Sequence, residues 1–539
     1  MTGAYIQPIA PVGGSLAWSA LVAVLPLLTM LVLLAGFRLR SHSAAGIAVV
    51  VALAVAVAVY GMPFGSALSA GAEGAVFGLF PIMWTVVGAV WVYRLTVESG
   101  HFDVLTRAFG RISPDPRILT IVIAFLFGAL LEAVAGFGTP IVVATVVLIG
   151  AGLPPVRAAA ASLLANSVVT PLGVMGTPIL TMSRVSEIPI DEIGPVVARQ
   201  VCLLAVFVPL VLVAVVGGWR GVRETWIVAF PVGLAFAAAQ FVCASYLTVG
   251  LSNIAGAAAG LAVLLVVTRL RPSPGPDRET GHDREAAAPR IHDSRRRVAE
   301  AFAPYVLIVV VFLVSRSGPV ASLLSNASLS FTWPGVDVRT AEGAVPAAET
   351  FTLDLLTAPG TLVFFAALLS MPVLKVAAGD AMRCLVAAVM QLRWSFATVT
   401  AVLALAYVMN LSGQTATIGG FLAGAGVAFA LLSPVLGWLG VVVTGSNTAS
   451  NAMFGSLQVA AAEQSGLDPT VLVAGNMAGG TTGTPIALQN LALVSSVKGL
   501  SGKDGLLLRR IWPLSIAGVV VLALLVWLQS TSVLSWMLP

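Results

Sequence analysis

The chain is 539 residues long, 58% hydrophobic and only 9% charged, with a mean hydropathy of +1.00. Soluble domains carry roughly 25% charged residues, so a soluble globular protein is excluded and an all-α polytopic membrane protein is expected. The formal net charge of +5 does not point to nucleic acid, because the basic residues sit in short loops between apolar runs, where they report topology.

The first apolar run, Leu16 to Phe37, has no Lys or Arg before it and Arg38 and Arg40 after it, which predicts a retained helix with its N-terminus outside. A second helix is expected over Ala44 to Tyr60 and a third over Ala72 to Val97. The connection holding Arg94, Arg107, Arg111 and Arg117 is then cytoplasmic, and a fourth helix, Ile118 to Ala133, climbs outward. It delivers Glu132 to the break Gly-Phe-Gly-Thr-Pro (136–140). Two apolar pieces follow, Pro140 to Gly152 and Val156 to Ile179. The first is shorter than the ~20 residues that cross a bilayer, so a short or re-entrant helix is expected.

Beyond an outer loop, Arg184 to Gly194, come three ordinary helices: Pro195 to Val216, Thr225 to Gln240 and Ala244 to Thr268. The segment from Arg269 to Arg297 carries eight arginines among Pro, Gly and Ala and reads as a cytoplasmic linker. It divides the chain into a first transmembrane half (1–268), the linker (269–298) and a second half (299–539). In the second half a helix over Ala299 to Val314 leads to a polar outer loop, 317–358, in which Arg339 is the only basic residue beside Asp337, Glu342, Glu349 and Asp354. Helices follow at Gly360 to Val376, Ser395 to Leu411 and Ile418 to Val443, with Lys375, Arg383 and Arg393 in a cytoplasmic stretch. A second break, Thr444 to Asn451, precedes the apolar pieces Ala452 to Ala462 and Pro469 to Val497, a basic turn, and a last helix, Ile511 to Leu528. In all, about 14–16 helical segments are expected, counting the short ones.

The breaks at 131–179 and 444–490 share a grammar. Each runs through a Gly-rich break, a short apolar helix, a Gly-Leu-x-Pro turn, an apolar piece containing an Asn, and Gly-Thr-Pro-Ile (176–179 and 483–486). Loop charges give the two copies opposite orientation, so two inverted-topology repeats are expected, the common build of secondary transporters. Thr is a good N-cap and Pro suits the first helical position. Thr139-Pro140, Thr170-Pro171, Thr177-Pro178 and Thr484-Pro485 could therefore each begin a half-helix whose positive end suits a carboxylate; simple kinks are the competing reading of any one pair.

These stretches resemble the lactate permease family, which includes lactate and glycolate permeases. The resemblance is carried by Leu-Glu-Ala-Val-Ala-Gly-Phe-Gly-Thr-Pro (131–140), Ala-Asn-Ser (165–167), Gly-Val-Met-Gly-Thr-Pro-Ile (173–179), Tyr-Val-Met-Asn-Leu-Ser-Gly (407–413), Thr-Gly-Ser-Asn-Thr-Ala-Ser-Asn-Ala-Met-Phe (444–454) and Gly-Asn-Met-Ala-Gly-Gly-Thr-Thr-Gly (475–483). It implies proton-coupled symport of a small 2-hydroxymonocarboxylate across the bacterial inner membrane. It also implies an Asp at the position of Asn447 and a Lys at that of Thr484. Both are neutral here, which leaves open another small organic anion or another coupling ion.

Glu132 is the expected proton-coupling carboxylate, because an ionisable group at membrane depth marks an ion or proton pathway; a structural carboxylate bonded to broken backbone is the alternative. The expected substrate-binding set is Gly136, Gly138, Thr139, Asn166, Thr177, Asn410, Ser446, Asn447, Thr448, Asn451, Asn476 and Thr484, with a structural role for each Asn equally open. Glu73 and Glu98, near expected helix ends, read as solvated interfacial charges; Arg94 and Arg199 read as residues snorkelling to headgroups, with attraction of an anion as the alternative. The partners are the substrate, a proton and the lipid bilayer, with no nucleic acid; a homo-oligomer is left open. Cys202, Cys243 and Cys384 lack metal-ligand spacing, and His42, His101, His282 and His292 fall in polar connections, so neither a metal, a cofactor nor a histidine relay is expected. A channel would need a ring of like groups. A membrane enzyme would need paired catalytic groups, and neither HExxH nor a P-loop is present.

Overall fold

The computed structural model describes residues 4–136, 138–270, 293–341, 343 and 350–538. Most of the expected linker, with His282 and His292, lies outside these residues, as does Phe137 of the first break. Among the described residues nine helices are long and apolar enough to cross a membrane, up to ten with a bent pair. The chain is an all-α multi-pass membrane protein.

The only sheets among the described residues are small. Tyr5–Ile6 pairs in parallel with Val338–Arg339, and Ser328–Thr332 pairs antiparallel with Thr350–Asp354. The first pairing puts the N-terminal segment and the 317–358 segment on one face. Gln7 Nε2 donates to the carbonyls of Asn410 and Leu411, and the Tyr5 hydroxyl donates to those of Tyr60 and Ser412, fastening that face to two helix ends.

Several expected helices are broken where Pro or Gly removes a backbone donor or admits an unusual φ. The first run is two helices, Leu16–Ala23 and Leu25–Ala35, bent by 40°. The third begins earlier than expected: Phe64–Phe77 and Trp84–Glu98 flank a stretch holding Pro81, with Phe80 extended (φ −135°, ψ 125°). The expected helix from Val156 to Ile179 stops at Ser167, passes through two 3₁₀ turns and restarts as Thr177–Ser186. The expected pair from Pro195 to Gln240 is present as two helices within Ile190–Tyr246, joined at a kink where Gly218 is non-helical (φ 65°, ψ −167°). The helix expected to start at Ser395 starts at Ala378 and runs to Ser412, so Arg383 and Arg393 are helical. Ile418 to Val443 divides into Gln414–Ala423 and Phe429–Thr444, with Gly426 at φ 55° between them.

Two helical hairpins hold the centre. The first is Thr139–Gly150 and Pro155–Ser167, continuing through the 3₁₀ turn Thr170–Leu172 to Thr177–Ser186. The second is Asn447–Ser465 and Pro469–Gly483, continuing through the 3₁₀ turn Thr484–Ile486 to Leu488–Ser495. Their contacts are reciprocal. Thr177–Ser186 packs on the first arm of the second hairpin, and Leu488–Ser495 packs on the first arm of the first. The Thr484 turn packs on Pro155–Ser167, and the Thr170 turn on Pro469–Gly483. Thr170-Pro171 is thus the counterpart of Thr484-Pro485 in structure, a pairing the sequence match with Thr177-Pro178 obscures.

Without a hydrophobic driving force between helices in lipid, close approach depends on small residues. Gly475, Gly479 and Gly483 recur every four residues and face Phe429–Thr444. A Cβ at Gly479 would fall on the Pro434 carbonyl, one at Gly483 would lie 2.7 Å from the Trp438 carbonyl, and one at Gly475 would lie 3.0 Å from Ser433 Oγ. Across the contact, a Cβ at Gly437 would strike the Asn476 carbonyl. Gly479→Ala should therefore cost about 1–3 kcal/mol or more and lower the yield of folded protein. Gly46→Ala, with nothing within 4 Å, should be neutral or slightly stabilising. Thermal melts of the purified variants check the contrast.

Candidate functional site

Helix Pro116–Val134 carries the buried carboxylate. Asp115 caps it by accepting from Arg117 N at 2.9 Å, and Arg117 also bridges Asp115 to Glu224, so this end is tied by charge. A π-helical stretch, Ile121–Phe127, resets the register before the last turns, a common device near functional residues. Glu132 is 4% exposed. Two breaks make room for it: a Cβ at Gly173 would lie 2.9 Å from Glu132 Oε1, and Gly136 sits beside the same oxygen with φ 39°. Val174 and Met175 next to it hold positive φ (42° and 55°), a strained backbone of the kind that clusters at functional sites.

Glu132 opens onto a cavity of about 640 Å³ and is the only carboxylate among the described residues lining it. Asn166, on the second arm of the first hairpin, lines the same cavity. Opposite stands the start of helix Asn447–Ser465, where Ser446 accepts from Ala449 N at 3.3 Å and residues Ser446 to Ala449 line the wall. The positive end of a 19-residue helix thus faces the same space as the carboxylate.

The two hairpins join at a hydroxyl. Thr170 Oγ1 accepts from Asn447 Nδ2 at 3.0 Å and lies 3.3 Å from Thr484 Oγ1, while Asn490 Nδ2 donates to the Thr484 carbonyl at 2.9 Å. Three oxygens, Glu132 Oε2, Asn166 Oδ1 and Asn447 Oδ1, are buried without a protein partner among the described residues, and all three residues line the cavity. Buried polar oxygens of this kind need a partner, and a ligand carrying hydroxyl or acid protons would supply it.

Of the residues singled out from sequence, Glu132, Gly138, Asn166, Ser446, Asn447, Thr448 and Thr484 line the cavity. Gly136, Thr139, Thr177, Asn410, Asn451 and Asn476 do not. Thr177 Oγ1 donates back to the Val174 carbonyl, closing the turn before its helix. Asn451 and Asn476 belong to a buried amide chain: Asn476 Nδ2 donates to Asn451 Oδ1, Asn451 Nδ2 donates to the Pro178 carbonyl, and Gln458 Nε2 donates to Asn476 Oδ1. Thr170, read from sequence only as a helix start, is the joint between the hairpins. Gln489 and Asn490 also line the cavity and went unread, although a polar pair inside an apolar piece is a signal of its own.

Glu73 corrects the reading of a solvated charge. It is 1% exposed, nine residues inside a helix that begins at Phe64. One turn on, Phe77 stacks with Tyr407 at 6.4 Å and lies 5.4 Å under the Arg184 guanidinium, which also reaches Asp354 at 3.6 Å. This seam joins helix Thr177–Ser186 to helices Phe64–Phe77 and Ala378–Ser412. Arg94, expected at the headgroups, bonds Gln391 at 2.7 Å.

The L-lactate permease family model matches residues 19–533. The chain belongs to the L-lactate permease family. It is therefore a multi-pass membrane transporter. Among its relatives, the glycolate permease GlcA of Escherichia coli K12 is 34% identical over 98% of both chains. The L-lactate permease of Bacillus subtilis 168 is 33% identical over 99% of this chain and 100% of its own length, and the L-lactate permease of Escherichia coli K12 is 34% identical over 98% of both. Among solved structures, Neisseria gonorrhoeae MtrF, of a class of antimetabolite efflux pumps, superposes with a TM-score of 0.49 at 14% identity over 94% of this chain and 97% of that one, too loose a likeness to argue from.

Asn447 and Thr484 share the Thr170 hydroxyl, so the Asp and Lys implied there by the family resemblance would stand within pairing reach. Asn447→Asp alone should place an unpaired charge there, at a cost of about 3–5 kcal/mol. Asn447→Asp combined with Thr484→Lys should recover most of the loss. Melting temperatures of the single and double variants check this.

Proposed function

We propose that this protein is a secondary active transporter that carries a small monocarboxylate, lactate or glycolate, together with a proton across the bacterial inner membrane. The observation that supports this most is the juxtaposition, in one cavity, of a single buried carboxylate and the positive end of a helix. The substrate carboxylate sits at the start of helix Asn447–Ser465, held by backbone N–H groups and the Asn447 amide. Its hydroxyl meets Thr170, Thr484 or Asn166. Glu132 loads the proton, and its Oε2 is the free position. A proton on Glu132 and a negative charge on the substrate leave the loaded cavity with the same charge as the empty ionised one, so the proton and anion cross together as a neutral pair and loading adds no charge to a low-dielectric site.

The two hairpin units are inverted copies, as in many secondary carriers. The reciprocal packing supports this reading, and so do the surroundings of the two turns. The first hairpin's turn, at Pro155, lies beside Gly499 in the basic segment Lys498 to Lys503, and Arg157 Nη1 donates to the Val216 carbonyl. The second hairpin's turn lies against helix Gln414–Ala423, whose Thr417 Oγ1 donates to the Ile9 carbonyl of the N-terminal segment. With the basic segment cytoplasmic and the N-terminus outside, the cavity opens inward, toward Arg40 and Arg393. The Phe77–Arg184–Tyr407 seam then closes the outer side, and transport requires it to part as the cavity closes inward.

The neutral pair Asn447 and Thr484 favours a second reading on one point, a carrier for another small organic anion or with a different coupling ion. Proteoliposomes supplied with labelled lactate, glycolate and longer 2-hydroxy acids, with and without a pH gradient, separate these. We expect accumulation of lactate or glycolate driven by the gradient, and counterflow exchange, which a simple pore lacks. Glu132→Gln should lose gradient-driven accumulation while expressing normally. Full uphill transport by that variant would remove Glu132 from the mechanism.

A further inference from the structure

The cavity is electrically lopsided. Glu132 lies at its buried end, whereas Arg40 and Arg393 lie at its exposed end, and neither arginine makes an ion pair with any described residue. Among the described residues their charges are uncompensated, in contrast to Arg107, Arg117 and Arg184, each of which reaches a carboxylate. The two arginines come from different parts of the chain. Arg40 precedes helix Ser41–Ala58 and Arg393 is embedded in Ala378–Ser412, helices that pack along one another.

An aromatic platform on the same wall joins the two helices. The His42 ring stacks on Trp394 with centroids 4.3 Å apart and planes 18° from parallel, and the Arg393 guanidinium lies 5.6 Å over the same indole. Stacking of this kind restrains Trp394 and holds the Arg393 head at the cavity wall instead of leaving it to sweep the surface. A cleft of one sign with low-dielectric walls focuses the field, and raises the local concentration and arrival rate of an ion of opposite charge by ~10–10³.

We propose that Arg40 and Arg393, with the His42–Trp394 stack as their platform, form a second anion site in series with the deep one, which holds the carboxylate of a small organic acid as it enters or leaves. This rests on the transport reading above. The shared chemistry is that of a compact oxyanion, and an anionic lipid headgroup is the other source that could supply it. In a carrier with two stations, the deep site supplies selectivity through its directed amide and hydroxyl groups. The shallow site takes any small carboxylate and sets the apparent affinity on the open face.

The test compares wild type with Arg40→Gln/Arg393→Gln and with the charge-retaining Arg40→Lys/Arg393→Lys, in inside-out and right-side-out vesicles of purely zwitterionic lipid. The expected result is a rise of about tenfold or more in the ratio of the KM from the cytoplasmic face to that from the outer face for the Gln pair, largely reversed in the Lys pair. An unmoved ratio would overturn the proposal. So would a rise that appears only when anionic lipid is added, because the arginines would then serve a headgroup. Equilibrium dialysis of purified protein against labelled lactate and glycolate reads the sites without transport. Two anions per wild-type chain and one in the Gln pair are expected, and one in wild type would overturn the second site. A wild type that binds and transports one anion would leave the transport reading standing alone, whereas a wild type that binds neither acid would sink both.

Discussion

A carboxyl group buried in an apolar helix bundle must be met by polar groups, and that requirement organises this protein. Helices normally keep their backbone donors and acceptors to themselves, and lipid tolerates nothing else. Here the groups around Glu132 are released by breaking helices. Gly136 and Gly173 clear its sides, Asn166 joins it on the cavity wall from the end of a hairpin arm, and the Ser446-capped helix begins at the same space. Gly136 and Gly173 are buried and Ser446 lines the cavity, so the backbone these breaks release meets protein or cavity.

Two hairpins are needed to do this because one cannot enclose a site from both sides. Each delivers a 3₁₀ turn at a Thr-Pro pair, and the turns meet at the Thr170, Asn447 and Thr484 side chains. The glycine ladder at 475, 479 and 483 lets the second hairpin lie directly on its neighbour, so that the joint is positioned by backbone against backbone. The neutral hydroxyl and amide at that joint can be rearranged without leaving a charge stranded. This property suits a contact that must slide or part during transport.

Much of this is legible in the sequence. Apolar runs place the multi-pass class, the Gly and Thr-Pro clusters mark both hairpins, and the carboxylate beside the first break, Glu132, marks the cavity. What is not legible has physical causes. Asn451 and Asn476 carry the same amide chemistry as Asn166 and Asn447, but buried backbone carbonyls such as that of Pro178 compete with solute for amide donors, and composition cannot tell which wins. Glu73 is misread because hydropathy alone starts its helix near Ala72, whereas the small residues of Phe64–Phe77 let that helix begin earlier and press against Leu403 and Ala404. Arg40 and Arg393 read as ordinary loop charges until the packing of two distant helices sets them at one opening.

The central claim is that hairpins from opposite ends of the chain meet at the Thr170–Asn447–Thr484 joint. It is tested most directly by Thr170→Cys/Asn447→Cys in a background with Cys202, Cys243 and Cys384 replaced, and with a protease site inserted between residues 271 and 292. After mild oxidation and cleavage, the two halves should run as one band on a non-reducing denaturing gel and as two after reduction. Halves that separate without reductant would contradict the account.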